Sequence, residues 1–254
     1  MCRWLVYRGD EIFMEELILQ PHNALIHQSL RARLAPTVTN GDGFGVGWYG
    51  ARPEPGVFRD ILPAWNDPNL RNIAQQVRSR LFMAHVRAST GTATSRANCH
   101  PFAFGRWLFM HNGQIGGYAR LRRRFEALLD DRHYAARVGT TDSELIFLLL
   151  LQHGLDEAPI AALTGVVALI ERVMGEDGEA GEPFRFTAAL SDGRCVWAWR
   201  HASDATPPSL HYRQTPTGLV VASEPLDDQE KDWMPVTAGH MLIADGTLTI
   251  RTLH

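Results

Sequence analysis

Apolar and polar positions divide the chain into a strand-rich opening, a helical middle and a strand-rich end. CRWLVYR, directly after Met1, is a compact apolar run that predicts a strand, and residues 11–33 suggest a short helical region. NGDGFGVGWYG (40–50) reads as turn signals followed by a glycine-rich strand. The proline-rich stretch 51–68 is expected to be a surface loop. Residues 69–80 place Leu70, Ile73, Ala74 and Val77 on one helical face. Residues 81–87 and 107–113 are apolar strands, the second closed by an Asn-Gly turn. A basic amphipathic helix is expected over 118–129, a helix apolar nearly all round over 142–153, and a third over 160–174. GEDGEAGEP then reads as a solvated acidic loop. Six short strands follow: FRFTAAL, CVWAWR, LHYR, GLVVAS, HMLIA and LTIRT. Strands, helices and strands again, without regular βαβ alternation, favour an α+β layered fold over a doubly wound sheet. A single domain over 1–254 is expected.

Composition narrows the function classes. The 254 residues are 45% hydrophobic and 21% charged with a net charge of −3, the balance of an ordinary folded chain without the basic excess of a nucleic-acid binder. The longest uninterrupted apolar run, 145–151, falls far short of the ~20 residues a membrane span needs. Neither nucleic acid nor membrane is an expected partner. Cys2, Cys99 and Cys195 cannot all pair within one chain and show no CxxC spacing, so a reducing cytoplasm is expected.

Three tempting signals carry little. Residues 45–50 match GxGxxG literally, but ARPEPG follows where a dinucleotide site needs a helix. A glycine-dense strand marks close backbone approach more often than a cofactor. The arginine run at 120–124 fits a solvated helix face. The eleven histidines show no HxxxH spacing and no close ligand cluster, so no metal and no cofactor are expected.

Cys2 is the informative residue. Once Met1 is removed, it holds a thiol nucleophile and a free α-amine, whose reference pKa of about 8 lets it take the thiol proton near neutrality. The plain alternative is a small residue at the start of a strand. Cys99 and Cys195 are expected to be structural.

The order of motifs adds a resemblance. MCRWLVYRG, NGDGFGVGWYG (40–50), AHVRAST (84–90), NCHPF (98–102), FMHNGQI (109–115) and TTDSE (140–144) together resemble the glutaminase domain of class-II glutamine amidotransferases, within the N-terminal-nucleophile (Ntn) hydrolases. The GDGFGVGWY form is similar to their short, stand-alone branch, which includes the γ-glutamyl hydrolase of ergothioneine biosynthesis. The resemblance implies a four-layer αββα sandwich of two antiparallel sheets. It implies Cys2 as nucleophile, with the Asn112 side-chain amide and the Gly113 N–H as oxyanion donors. It also implies that Arg87 holds the α-carboxylate and Asp142 the α-ammonium of a glutamyl group. Each has a bland counterpart: Asn112-Gly113 as a turn, Arg87 as an ion pair, and Thr141 to Glu144 as a capping box. His85 is expected to be a hydrogen-bonded structural histidine, and Asn40 and Gly41 to help line the pocket.

The implied activity is that of an N-terminal-cysteine amidohydrolase. Glutamine or another γ-glutamyl amide is cleaved through a Cys2 thioester, releasing glutamate and ammonia or an amine. The alternatives are a glutaminase subunit passing ammonia to a separate synthase chain, and a non-catalytic Ntn-fold binding module if Met1 is retained.

Overall fold

The computed structural model describes residues 2–34, 39–89, 91–178 and 181–253. Strand β1 (Arg3–Phe13) is apolar on both sides near its start. Leu5 and Tyr7 face one layer of core while Trp4 and Val6 face another, so the strand is covered on both faces. Helices α1 (Glu15–Ile18) and α2 (Leu25–Leu30) lead to the hairpin of β2 (Phe44–Trp48) and β3 (Gly56–Asp60). Helix α3 (Pro68–Gln76) starts where Asp67 accepts the Leu70 N–H at 2.7 Å and Pro68 occupies the first turn. Strand β4 (Arg78–Val86) follows at once. Next come β5 (Phe102–Phe104), β6 (Trp107–Gln114), α4 (Tyr118–Glu126), α5 (Asp131–Ala135), α6 (Asp142–Gln152) and α7 (Pro159–Glu176). The chain ends in β7 (Arg185–Ser191), β8 (Val196–Ala202), β9 (His211–Thr215), β10 (Gly218–Ala222), β11 (Met234–Pro235), β12 (His240–Ala244) and β13 (Leu248–Thr252).

The strands form two antiparallel sheets. One has the order β11-β9-β10-β1-β4-β2-β3, the other β13-β12-β8-β7-β6-β5. Trp4, Val6, Met83 and Val221 from the first sheet meet Leu108, Met110, Ala198 and Leu242 from the second in a core between them. Helices α1, α2 and α3 cover the outer face of the seven-stranded sheet through Leu17, Leu25, Leu70 and Ala74. Helices α4, α6 and α7 cover the other sheet through Phe125, Phe147, Leu149, Val166 and Ile170. This is the expected α+β, four-layer αββα sandwich. No helix among the described residues is long and apolar enough to cross a membrane.

Several local expectations change. Residues 11–33 begin as strand, because β1 runs on to Phe13 and pairs there with Arg78. The proline-rich stretch 51–68 contains β3, whose residues 56–60 pair with β2. Asn112 and Gly113 form no hairpin turn; they are rungs of the β6–β7 ladder opposite Thr187 and Phe186. Of the acidic loop, Glu176 belongs to α7, and residues 179 and 180 lie outside the described residues.

The GxGxxG stretch lies on strand β2 as far as Trp48, as its context suggested. Gly43, Gly45 and Gly47 alternate along one face, and a Cβ on each would lie 2.7 Å from Cys99 Sγ, 2.2 Å from the His100 carbonyl oxygen and 2.8 Å from Leu108 Cδ1. The spacing of two clears a strip on which residues 99–101 lie. The arginine run is a helix face, with Arg120, Arg122 and Arg124 paired to Asp177, Glu126 and Glu176.

Candidate active site

The register of β1 with β4 pairs Arg3 with Val86, which sets Cys2 beside Arg87 and Ala88. The half-buried Cys2 thiol donates to the Ala88 carbonyl oxygen at 3.5 Å, and the Ala88 N–H approaches its sulfur at 3.3 Å. Burial pushes the thiol above its ordinary range, and the Ala88 contact and the charges of Arg87 and Arg3 offset this only in part. Met1 lies outside the described residues.

From the facing sheet, Asn112 projects off β6 toward the nucleophile. Its Nδ2 donates to the Cys2 carbonyl oxygen at 2.8 Å, and the residue is 1% exposed. Gly113 follows with φ +148°, a region that side chains rarely adopt. A Cβ there would stand 1.7 Å from the Arg185 carbonyl oxygen, so only glycine fits.

Arg87 is almost fully buried. Its guanidinium donates to the Asp42 carbonyl oxygen (3.3 Å), Ser89 Oγ (3.3 Å), Thr92 Oγ1 (2.6 Å) and the Ala93 carbonyl oxygen (3.4 Å). No carboxylate among the described residues pairs with it. Asp142 opens α6, where Thr141 Oγ1 caps the helix by accepting the Glu144 N–H at 3.1 Å. The capping box is only half formed: Glu144 turns back to accept from Val138 and Gly139 N–H instead of Thr141. The Asp142 carboxylate accepts from the Ile115 and Ser143 N–H groups at 2.9 and 2.8 Å and has no cationic partner among the described residues.

Cys2, Arg87, Gly113 and Asp142 line one cavity of about 490 Å³, and Asn112 sits directly behind Cys2. The sandwich thus brings all five anticipated residues together. Asn40 and Gly41 are not part of the lining, and Asn40 is buried against the Gln28 and Ser29 carbonyl oxygens. Other wall residues were assigned no role from the sequence, although His111 and Gln114 fall within the FMHNGQI motif. Gln114 Nε2 donates to Glu182 at 2.6 Å, and Arg185 pairs with Asp204 at 2.8 Å. His111 links β6 to α6: Nε2–H donates to the Arg185 carbonyl oxygen (3.0 Å), leaving Nδ1 to accept from Ser143 Oγ (2.9 Å). No motif spacing relates residues 182–185 to the site, because β7 reaches it by pairing with β6.

Comparisons with known proteins place the chain in a family. The sequence profile described as "Glutamine amidotransferases class-II" matches residues 21–219. The chain is 32% identical to the probable glutamine amidotransferase DUG3 of Saccharomyces cerevisiae, over 95% of this chain and 81% of that protein. It is 28% identical to the gamma-glutamyl-hercynylcysteine sulfoxide hydrolase of Mycolicibacterium smegmatis, over 95% of each. A solved glutamine aminotransferase class-II domain protein from Silicibacter pomeroyi superposes with a TM-score of 0.78 at 39% identity, covering 99% of both chains. With the profile spanning most of its length and the Ntn sandwich in place, the chain belongs to the class-II glutamine amidotransferases.

Proposed function

We propose that the protein hydrolyses the γ-carboxamide of glutamine or of a γ-glutamyl amide through a Cys2 thioester, as an N-terminal-cysteine amidohydrolase of cytoplasmic type built on one domain. The carrying observation is a single cavity that holds a thiol, a guanidinium with no carboxylate partner among the described residues and a carboxylate with no cationic one among them. A glutamyl group is zwitterionic at its α-carbon. Arg87 suits the α-carboxylate and Asp142 the α-ammonium, with the γ-carbonyl directed to Cys2. Pairing of β1 with β10, joining the first residues to the two-hundred-and-twenties, supports the single-domain reading.

With Met1 removed, the α-amine of Cys2 takes the thiol proton. The sulfur bonds to the γ-carbon, and the oxygen gathers negative charge between an Asn112 N–H and the Gly113 N–H. Collapse breaks the C–N bond, and the amine leaves with the proton from the α-ammonium. Water then attacks the thioester, gives its proton to the α-amine and releases glutamate with the thiol restored.

Cys2→Ala is expected to abolish glutamate release from glutamine and from substituted γ-glutamyl amides, with ammonia and amine measured separately. Undiminished release by the variant would refute the assignment. Fast turnover of substituted amides identifies a self-contained hydrolase, whereas glutamine turnover alone points to an ammonia-accepting partner chain. Intact-mass analysis tests the amine's part, because active protein that retains Met1 excludes it as base.

A further inference from the structure

His85 and His100 are buried at the site, His100 in the wall of the Cys2 cavity, and none of the four ring nitrogens makes a hydrogen bond of ordinary geometry among the described residues. Buried polar atoms seldom stay unpaired. The Asn112 Oδ1 is a third such group. His85 shares the inward parity of Leu81 and Met83 on β4, and Asn112 that of Leu108 and Met110 on β6, so both enter the inter-sheet core, where the Asn112 side chain is close enough to raise the His85 pKa. His100 stacks on His85 with ring centroids 4.2 Å apart and meets Phe102 edge-on at 4.6 Å.

We propose that His85 is a positioning residue: its ring N–H is the donor for Asn112 Oδ1, and His100 backs the ring in that orientation. The inference rests on the Cys2 reading, in which Asn112 supplies an oxyanion donor. The amide has two ends of opposite polarity. Its Nδ2 end faces Cys2, so Oδ1 faces away and needs a donor. A flipped amide would present oxygen lone pairs to the developing oxyanion and turn stabilisation into repulsion. His111 cannot hold the amide, because both its nitrogens are engaged with Arg185 and Ser143. A neutral imidazole has one N–H to give. Burial and the charges of Arg87 and Arg3 keep His85 neutral, with its pKa depressed to about 3, while the neighbouring Asn112 amide acts in the opposite direction. A ring whose pKa lies so far below 7 is unsuited to proton transfer at that pH and suited to fixing a dipole.

The test compares wild type, His85→Phe, His85→Gln and Cys2→Ala with glutamine, alongside 15N NMR of the imidazoles in wild type and Asn112→Ala. His85→Phe is expected to lower kcat by about 10- to 100-fold, below the loss of a whole oxyanion donor. KM should stay within about threefold, because Arg87 and Asp142 are untouched. His85→Gln, whose amide N–H can reach Oδ1, should recover to within about tenfold of wild type. The His85 ring should hold one neutral tautomer from pH 5 to 8, with its N–H resonance shifting in Asn112→Ala. A His85→Phe variant that keeps kcat within threefold while Cys2→Ala is dead overturns the bridge, and so does a His85 resonance indifferent to Asn112→Ala. If His85→Phe fails to fold by near-UV circular dichroism, the Gln variant and the NMR comparison decide. A wild type that turns over neither glutamine nor a substituted γ-glutamyl amide counts against the Cys2 reading, and the NMR comparison still decides the bridge.

Discussion

At the residue scale, the two stacked histidines couple folding to pH. His85 has an ordinary pKa of 6.5, depressed in the fold to about 3, and burial beside His85, His111, Arg87 and Arg59 holds His100 well below its ordinary value. Between these limits the unfolded chain binds protons that the folded chain refuses, so stability falls as pH drops below 6.5. For His85 the cost is about 1 kcal/mol for each pH unit in that window, and His100 acts in the same direction. Urea unfolding at pH 7.5 and 5.5 should therefore show a clear loss at the lower pH. His85→Gln should lose about 1 kcal/mol less than wild type over the same interval. Equal midpoints for wild type at both values would contradict this. The expectation of a hydrogen-bonded structural His85 holds as to its burial, and Asn112, the neighbour that raises its pKa, is the partner proposed for its ring. Parity in a strand tells which face a side chain takes, not what waits across the core.

Among the elements, β2 shows how a sequence pattern is explained only by its neighbour. Its glycines clear a strip for residues 99–101, and Gly45 is the tightest, with a Cβ placed 2.2 Å from a carbonyl oxygen. Backbone cannot swing aside as a long side chain can. Gly45→Ala should destabilise by at least ~2 kcal/mol through overpacking. Gly50→Ala, where a Cβ meets nothing within 4 Å, should stay within about 0.5 kcal/mol of wild type. Urea midpoints of the two variants measured side by side check this, and a matched pair would refute it. The Asn112-Gly113 expectation failed for a related reason. Asn-Gly favours a hairpin turn locally, but the β6–β7 ladder extends through both residues, and Gly113 uses its positive φ inside the strand. The start of α6 was legible because the Thr141 cap is a local interaction, whereas the Glu144 partners came from the preceding loop.

Across the whole molecule, a buried chain of polar contacts ties distant segments to the nucleophile. Glu224 is 1% exposed and lies 3.6 Å from Arg3, which is fully buried and whose Nε donates to the Cys2 carbonyl oxygen at 2.7 Å. The same carboxylate accepts from Arg33 and Leu34 N–H and from Asn23 Nδ2. Glu224→Ala leaves a buried guanidinium uncompensated and should cost about 3–5 kcal/mol. A loss under 1 kcal/mol in urea unfolding would show that Arg3 finds another partner. Nothing at positions 3 and 224 announced this pair, since the contact exists only once β1 and β10 are neighbours. By itself, the sequence determined most strands and the main helices, because alternation and helical periodicity are local. It also determined, through motif order, the family and the five residues proposed for the chemistry. Tertiary structure alone decided that those residues share one cavity, that Asn112-Gly113 is strand, and that His85 and His111 stand on opposite sides of the oxyanion candidates. The reason is physical: a side chain's face follows from the chain's own geometry, but its partner is set by which strands lie side by side and which layers meet.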